Sequence, residues 1–415
     1  MITQNDSSES DDKFAEANNV LDPGGRGDDY QCLDGGITLI DLVLASPEAG
    51  KMLRIAQFEL NFGFEWGHRM ARVIGGAVLA VCIAAAVCSA APTQAKESLQ
   101  VYFVDVEGGQ STLFVTPDGH SLLIDTGWAG NQGRDADRIV AVAKKAGLSK
   151  IDYVLITHFH EDHVGGVPQL AARIPVGTFI DHGENRELGD APTVAGWKAY
   201  QELLATKKYK RIIPKPGDVL PIPGLHVMVI SSDGALIDRP LPGAGLENPS
   251  CRDSEKRAGD QTENPRSLGT LITFGKLRLL DLGDLTWDKE MQLMCPLNKL
   301  GKLDVYIVSH HGWYQSSSPA LVWGISPRVA IMDNGEKKGG TPSTWDIITK
   351  TPHLEDLWQL HYSDEGGAAH NEPARFIANP DGADDGHYLE LIGQTDGSFE
   401  VFNSRTQETK QYPAR

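Results

Sequence analysis

The sequence predicts an α/β fold in four layers, an αβ/βα sandwich with two sheets face to face and helices outside. Three observations predict it. From Glu97 onward, strand-period segments precede helix-period segments in two successive rounds, a pattern that builds sheet-and-helix layers. Several strands are nearly continuous apolar runs, as in sheets covered on both faces. Those runs end in His and Asp, at the C-terminal strand edge where open α/β sheets place their chemistry.

The elements follow in order. Leu99 to Val106 alternates and turns at Gly108-Gly109. Ser111 to Thr116 and Ser121 to Asp125 form a hairpin around Pro117-Asp118-Gly119. Residues 134–146 put Ile139, Val140, Val142 and Ala143 on one helical face and stop at Gly147. Ile151 to Thr157 is a buried strand, and a helix is expected to start near Val164. Thr178 to Asp181 is a strand, 194–205 a helix, and 211–230 a set of strands broken by Pro and Gly. The stretch 233–265 is polar and rich in Gly and Pro, and reads as a surface insertion and candidate lid. Leu268 to Phe274 and Lys276 to Leu282 form a hairpin, Leu303 to Ser309 and Val329 to Met332 are strands, and 343–349 is a helix. His387 to Ile392 and Ser398 to Asn403 close the chain as a hairpin around Thr395-Asp396-Gly397. The metals that the strand ends imply are expected between the sheets.

Of the 415 residues 40% are hydrophobic, enough for a real core. A net charge of −18 argues against a protein that binds nucleic acid along a basic stripe, but not against an enzyme that meets one at a metal site. Residues 70–95 read as a secretory signal: His68, Arg69 and Arg72 are basic, 73–86 is apolar, and Ser89-Ala-Ala91 and Thr93-Gln-Ala95 offer small-residue cleavage sites. The expectation is a secreted or periplasmic protein starting at Met70, with 1–69 a mis-called or dispensable leader and no stable membrane insertion after cleavage. An uncleaved anchor at 73–91 would barely span a bilayer, and its Ala and Gly content favours cleavage. Of five cysteines, Cys82 and Cys88 leave with the signal and Cys32 with the leader. Cys251 and Cys295 remain and could pair in an oxidising compartment; neither sits in a C-x-x-C spacing.

The chemistry concentrates in Thr157-His-Phe-His-Glu-Asp-His-Val-Gly-Gly166. His158, His160, Asp162 and His163 put four ligand-type side chains within six residues, a set that suits zinc, with manganese or iron also compatible. Two more strands repeat the grammar of apolar run, then ligand. Leu279 to Leu282 leads to Asp284, which either bridges two cations or caps the helix near Thr286-Trp287. Asp304 to Ser309 leads to His310 and His311, of which His310, first off the strand, is the favoured ligand and His311 the supporting residue or proton donor. Asp125, at a strand end before Gly127, is expected to orient rather than ligate. His182 and His226 are the histidines between the first motif and Asp284; His182 is a candidate ligand or substrate contact, His226 a structural residue. His361 and His370 read as satisfied core or surface groups. The loop 334–340, with Lys337 and Lys338, either holds an anion or is a solvated turn. Ser316 to Ser318 cap a helix at Pro319.

Val104-Asp-Val-Glu-Gly-Gly-Gln-Ser111, Leu123-Ile-Asp-Thr-Gly127, the H-x-H-x-D-H-x-G-G run, Leu282-Gly-Asp284 and His310-His-Gly312 together resemble the metallo-β-lactamase superfamily over roughly 98–335. Within it the sequence is most similar to the soluble domain of competence DNA-uptake (ComEC-type) proteins. The resemblance implies a binuclear centre of two divalent ions, zinc first and manganese second. His158 and His160 would hold one, Asp162 and His163 the other, with Asp284 bridging and His310 completing the second. It also implies Asn264 and Ser267 as supporting residues, and leaves the third histidine of the first site to His182 or to water.

The implied chemistry is hydrolysis by a hydroxide generated between two cations, with Asp162 orienting it and His311, His182 or a metal-bound water protonating the leaving group. The leading expectation is an exported phosphodiester hydrolase, with a small-molecule or phosphodiester substrate and no stable nucleic-acid complex. A lactonase or β-lactamase-like hydrolase is the second, and a non-catalytic metal-binding envelope protein the third.

Overall fold

The computed structural model describes residues 97–415 except 381, 383 and 384. The leader 1–69 and the signal 70–95, with Cys32, Cys82 and Cys88, lie outside the described residues.

Among the described residues the strands assemble into two nine-stranded sheets. The first begins with β1 (Leu99–Phe103), β2 (Thr112–Val115), β3 (Ser121–Ile124), β4 (Ile151–Leu155), β5 (Val176–Ile180) and β6 (Lys210–Ile212). The second comprises β7 (Val219–Leu220), β8 (His226–Ser232), β9 (Ala235–Leu236), β10 (Gly269–Phe274), β11 (Leu277–Asp281), β12 (Val305–Ile307), β13 (Val329–Met332), β14 (Asp356–His361) and β15 (Ile377–Asn379). The chain then returns to the first sheet as β16 (Leu389–Gly393), β17 (Phe399–Asn403) and β18 (Glu408–Tyr412). The spatial orders are β18-β17-β16-β1-β2-β3-β4-β5-β6 and β15-β14-β13-β12-β11-β10-β8-β7, with β9 beside β8.

The layers follow from where the apolar side chains go. Leu99, Val101, Phe103, Ile124 and Leu155 meet Val227, Ile272, Leu279, Val305 and Ile331 in the core between the sheets. The alternate residues of the first sheet, among them Leu113, Leu123 and Val154, pack on helix Arg134–Lys145 through Ile139, Val140 and Ala143 and on helix Val167–Arg173 through Leu170. Across the second sheet, Leu280, Tyr306 and Ala330 pack on helices Trp287–Met294, Pro319–Ile325 and Pro342–Thr349. Strand alternation thus divides each sheet's side chains between two cores, which makes the four-layer αβ/βα sandwich.

Strands β3 to β6 are mutually parallel, as are β11 to β15. Their C-terminal ends carry Asp125, the 158–163 run, Asp284 and His310-His311. The candidate ligands therefore sit beyond the strand ends, at the edge of both sheets, and not in the apolar space between them.

Three details differ from the sequence reading. The helix expected near Val164 starts at Glu161, so Asp162 and His163 lie on its first turn. The two halves are not simply successive, because β16 pairs with β1 antiparallel and closes the first sheet with the last segment of the chain. Strands β14, β15 and β18 were not anticipated. The segment 233–265 is also tied down at several points. Cys251 is bonded to Cys295, the Asn248 amide donates to the carbonyls of Met294 and Ala320, and Glu263 is fully buried.

Candidate metal centre

Two sets of donor atoms converge at this edge, and Asp284 belongs to both. His158, His160 and Asp284 form one; Asp162, His163, Asp284 and His311 form the other. In the first, His158 Nε2 lies 3.0 Å from His160 Nδ1 and 3.8 Å from Asp284 Oδ2. In the second, His163 Nε2 lies 3.1 Å from Asp162 Oδ2, 3.4 Å from Asp284 Oδ2 and 3.2 Å from His311 Nε2. His311 Nε2 is 3.1 Å from Asp162 Oδ2 and 3.7 Å from Asp284 Oδ1.

The local sequence explains this convergence. In the motif, Gly166 packs so closely on Thr126 that a Cβ would overlap its carbonyl, which lets the turn carrying Asp162 and His163 press onto the Asp125 loop. Gly283 has φ +54°, and a Cβ there would lie 2.8 Å from that of Thr157, so only glycine brings the Asp284 loop against the His158 loop. Asp125, His310 and His311 adopt φ of 59°, 56° and 54°, a left-handed backbone that is uncommon for non-glycine residues and collects at sites that constrain it.

Neighbouring groups set which nitrogen of each imidazole faces inward. Asp125 Oδ2 sits 2.7 Å from His163 Nδ1 and also accepts from the Thr157 hydroxyl. Glu187 Oε2 sits 2.9 Å from His160 Nε2, leaving Nδ1 toward His158. The Thr157 hydroxyl lies 3.1 Å from His158 Nδ1. Ser267 Oγ accepts from the Asp284 N–H.

The electrostatics favour bound cations. Burial alone would raise the carboxyls of Asp162 and Asp284. The ammonium of Lys338 and the ring of His163 overrule it at Asp162, and the surrounding imidazoles of His310, His163, His311 and His158 overrule it at Asp284, so both stay well below the usual range. Burial drives His158 well below its ordinary value and His310 down to about 4. Asp284 Oδ1 is buried and has no hydrogen-bond partner among the described residues. Facing imidazole nitrogens 3.2 Å apart beside two ionised carboxylates are a donor set that divalent cations satisfy, and His/Asp ligation is compatible with zinc. The residues present therefore fit a pair of metal ions.

The sequence expectations meet this geometry unevenly. His158, His160, Asp162, His163 and Asp284 come together, and Asp125 and Ser267 support them. Of the histidine pair, His311 clusters with Asp162, His163 and Asp284. His310 stays nearby, with Nε2 3.4 Å from Asp284 Oδ2 and the ring on Trp313. His182 stays outside both sets, because its Nε2 is 2.9 Å from the buried carboxylate of Glu263 and its ring packs on Phe159. His226 is an exposed residue at the start of β8, not a structural one within it. Asn264 is buried beside Glu263.

The sequence reading leaves Glu187, Glu263 and Asp333 outside the site and takes Lys338 only as part of a loop that either holds an anion or is a solvated turn. Lys338 reaches Asp162 with its ammonium, which also lies 4.8 Å from the Trp128 ring, so the 334–340 loop is more than a solvated turn. Asp333 directly follows the apolar strand β13 and repeats the strand-then-carboxylate grammar that identified Asp284. A further cluster joins Asp105, Glu107 and His361: His361 Nε2 lies 2.7 Å from Asp105 Oδ1, and Arg138 donates to Asp105 Oδ2 at 3.0 Å. With an arginine already seated there, the cluster ties the 105–110 loop to the second sheet.

A family model described as the metallo-beta-lactamase superfamily matches residues 105–246. Recombination protein 2 of Haemophilus influenzae is 25% identical over 274 residues, 64% of this chain and 27% of that protein. A hydroxyacylglutathione hydrolase of Stenotrophomonas maltophilia is 40% identical over 63 residues, 15% of this chain and 21% of that enzyme. A ribonuclease Z of Methanopyrus kandleri is 32% identical over 123 residues, 29% of this chain and 39% of that enzyme. The chain thus spans about a quarter of the length of the recombination protein.

Proposed function

We propose that this chain, a metal-dependent hydrolase with the metallo-β-lactamase superfamily fold, cleaves phosphodiester bonds at a two-metal centre outside the cytoplasm. The observation that carries the reading is Asp284, whose single carboxylate is common to both donor sets. His158 and His160 would hold one ion, Asp162, His163 and His311 the other, with Asp284 between them. Zinc is the first choice and manganese the second.

When bound, the ions supply a nucleophile from water at neutral pH and a positive field for the developing charge. The protein does the rest. Asp162, kept ionised, orients the nucleophile. Lys338 presents a side chain 24% exposed, a fixed positive charge beside the centre that suits an anionic diester. His310 lines the same edge, with Nε2 3.4 Å from Asp284 Oδ2. The similarity to a protein named ribonuclease Z supports the phosphodiester.

The Cys251–Cys295 pair supports an exported protein, since such bonds persist in oxidising compartments. Among the described residues no helix is long and apolar enough to cross a membrane. The second reading is a lactonase or β-lactamase-like hydrolase of cyclic esters or amides, and the similarity to a hydroxyacylglutathione hydrolase favours it only as far as acyl-bond hydrolysis.

The test is metal content and turnover together, on protein expressed from Lys96. About two metals per chain and hydrolysis of bis-p-nitrophenyl phosphate that chelation abolishes are expected. Asp284→Asn should lose both metals and reduce turnover at least a hundredfold with secondary structure retained. Turnover of a chromogenic lactam or lactone alone would select the second reading. No metal and no activity after zinc or manganese addition would select a non-catalytic protein.

A further inference from the structure

Asp333 is the first residue past β13, 3% exposed, and neither carboxylate oxygen has a hydrogen-bond partner among the described residues. A buried carboxylate in that state is costly and calls for an explanation. Its Oδ1 lies 3.6 Å from His311 Nδ1, which is also buried and without a partner. The separation exceeds hydrogen-bond length by a few tenths of an ångström, and among the described residues no other hydrogen bond competes for either atom.

The other imidazoles show what the pairing is for. His163 turns Nε2 inward while Asp125 takes its Nδ1, and His160 turns Nδ1 inward while Glu187 takes its Nε2. His311 repeats the arrangement, with Nε2 toward Asp162 and Asp284 and Asp333 behind Nδ1.

We propose that Asp333 is the positioning carboxylate of His311. It accepts the Nδ1–H, keeps the tautomer whose Nε2 carries the lone pair, and holds the ring in its left-handed turn. The Asp333 loop thereby supports the second donor set just as the Asp125 loop supports His163. This inference rests on the reading of His311 as a ligand.

The test uses the chain from Lys96, stripped of metal and titrated with cobalt(II), with the visible absorption band and a competing chromogenic chelator as readouts. Two binding steps are expected in the wild type, and His311→Ala should remove one. Asp333→Ala should weaken that same step by roughly 10- to 100-fold and leave the other within about twofold, the usual effect of losing such a partner. Asp333→Asn should fall between, because its carbonyl still accepts the N–H without the charge, and it guards against a folding defect in the alanine variant. If Asp333→Ala binds cobalt like the wild type while His311→Ala loses a step, the inference fails and the ligand reading stands. If His311→Ala keeps both steps, the ligand reading itself fails. Equal weakening of both steps in both Asp333 variants would mark general destabilisation and overturn the positioning role.

Discussion

Glu290 shows how far a single buried side chain can act without touching the centre. Its two carboxylate oxygens accept from the N–H groups of Ser317 and Ser318, which anchors the segment after His311 to helix Trp287–Met294. Burial pushes its carboxyl up to about 7. A folded value above the unfolded value of about 4.3 contributes stability that is full below about pH 4 and lost as pH rises through about 7. Glu290→Gln removes that loss. Unfolding free energies extrapolated from denaturant titrations at about pH 5 and pH 8 should differ less in the variant, by about 2 to 3 kcal/mol. Identical pH dependence in both proteins would refute the assignment.

At the scale of elements, the Cys251–Cys295 bond decides how firmly the 233–265 segment is held. It joins the turn Pro249–Arg252 to the C-terminal end of helix Trp287–Met294 across 44 residues. Closing a loop of that length stabilises the fold by about 4 kcal/mol in the chain-entropy account. A Cys251→Ser, Cys295→Ser double variant should unfold at clearly lower guanidinium, with the metal stoichiometry kept because neither residue is in a donor set. An unchanged midpoint, with two free thiols titrating in the native wild type, would show that the pair does not form.

At the scale of the whole molecule, the C-terminal strands are part of the first sheet and not an appendage. β16 pairs with β1, and Leu389, Leu391, Phe399, Val401 and Tyr412 enter the core between the sheets. The Tyr412 hydroxyl also donates to Asp356 and accepts from Trp358 of β14. At about 1.5 to 3 kcal/mol for each buried side chain, these five contribute on the order of a whole domain's stability. Truncation after Gly386 should therefore give no cooperative unfolding transition and no bound metal. A soluble, metal-loaded truncated chain would contradict this.

The sequence by itself determined the elements whose signals are local: the apolar strands β4, β11 and β12, the helix at 134–145, and the His and Asp residues at their ends. Strand period, glycine turns and ligand spacing all act within a few residues, so His158, His160, Asp162, His163 and Asp284 were legible before any fold was known. The tertiary structure decided the choices that depend on distant partners. His311 joins the donor cluster while His310 lies 3.4 Å from Asp284, both in a left-handed turn that no spacing rule supplies. His182 leaves the site because Glu263, 81 residues away, binds its ring nitrogen. Lys338 reaches Asp162 across 176 residues. β18, with four exposed residues of five, carries no apolar pattern of its own and is a strand because β17 lies beside it. Ligand identity is local chemistry, and which ligand meets which is packing.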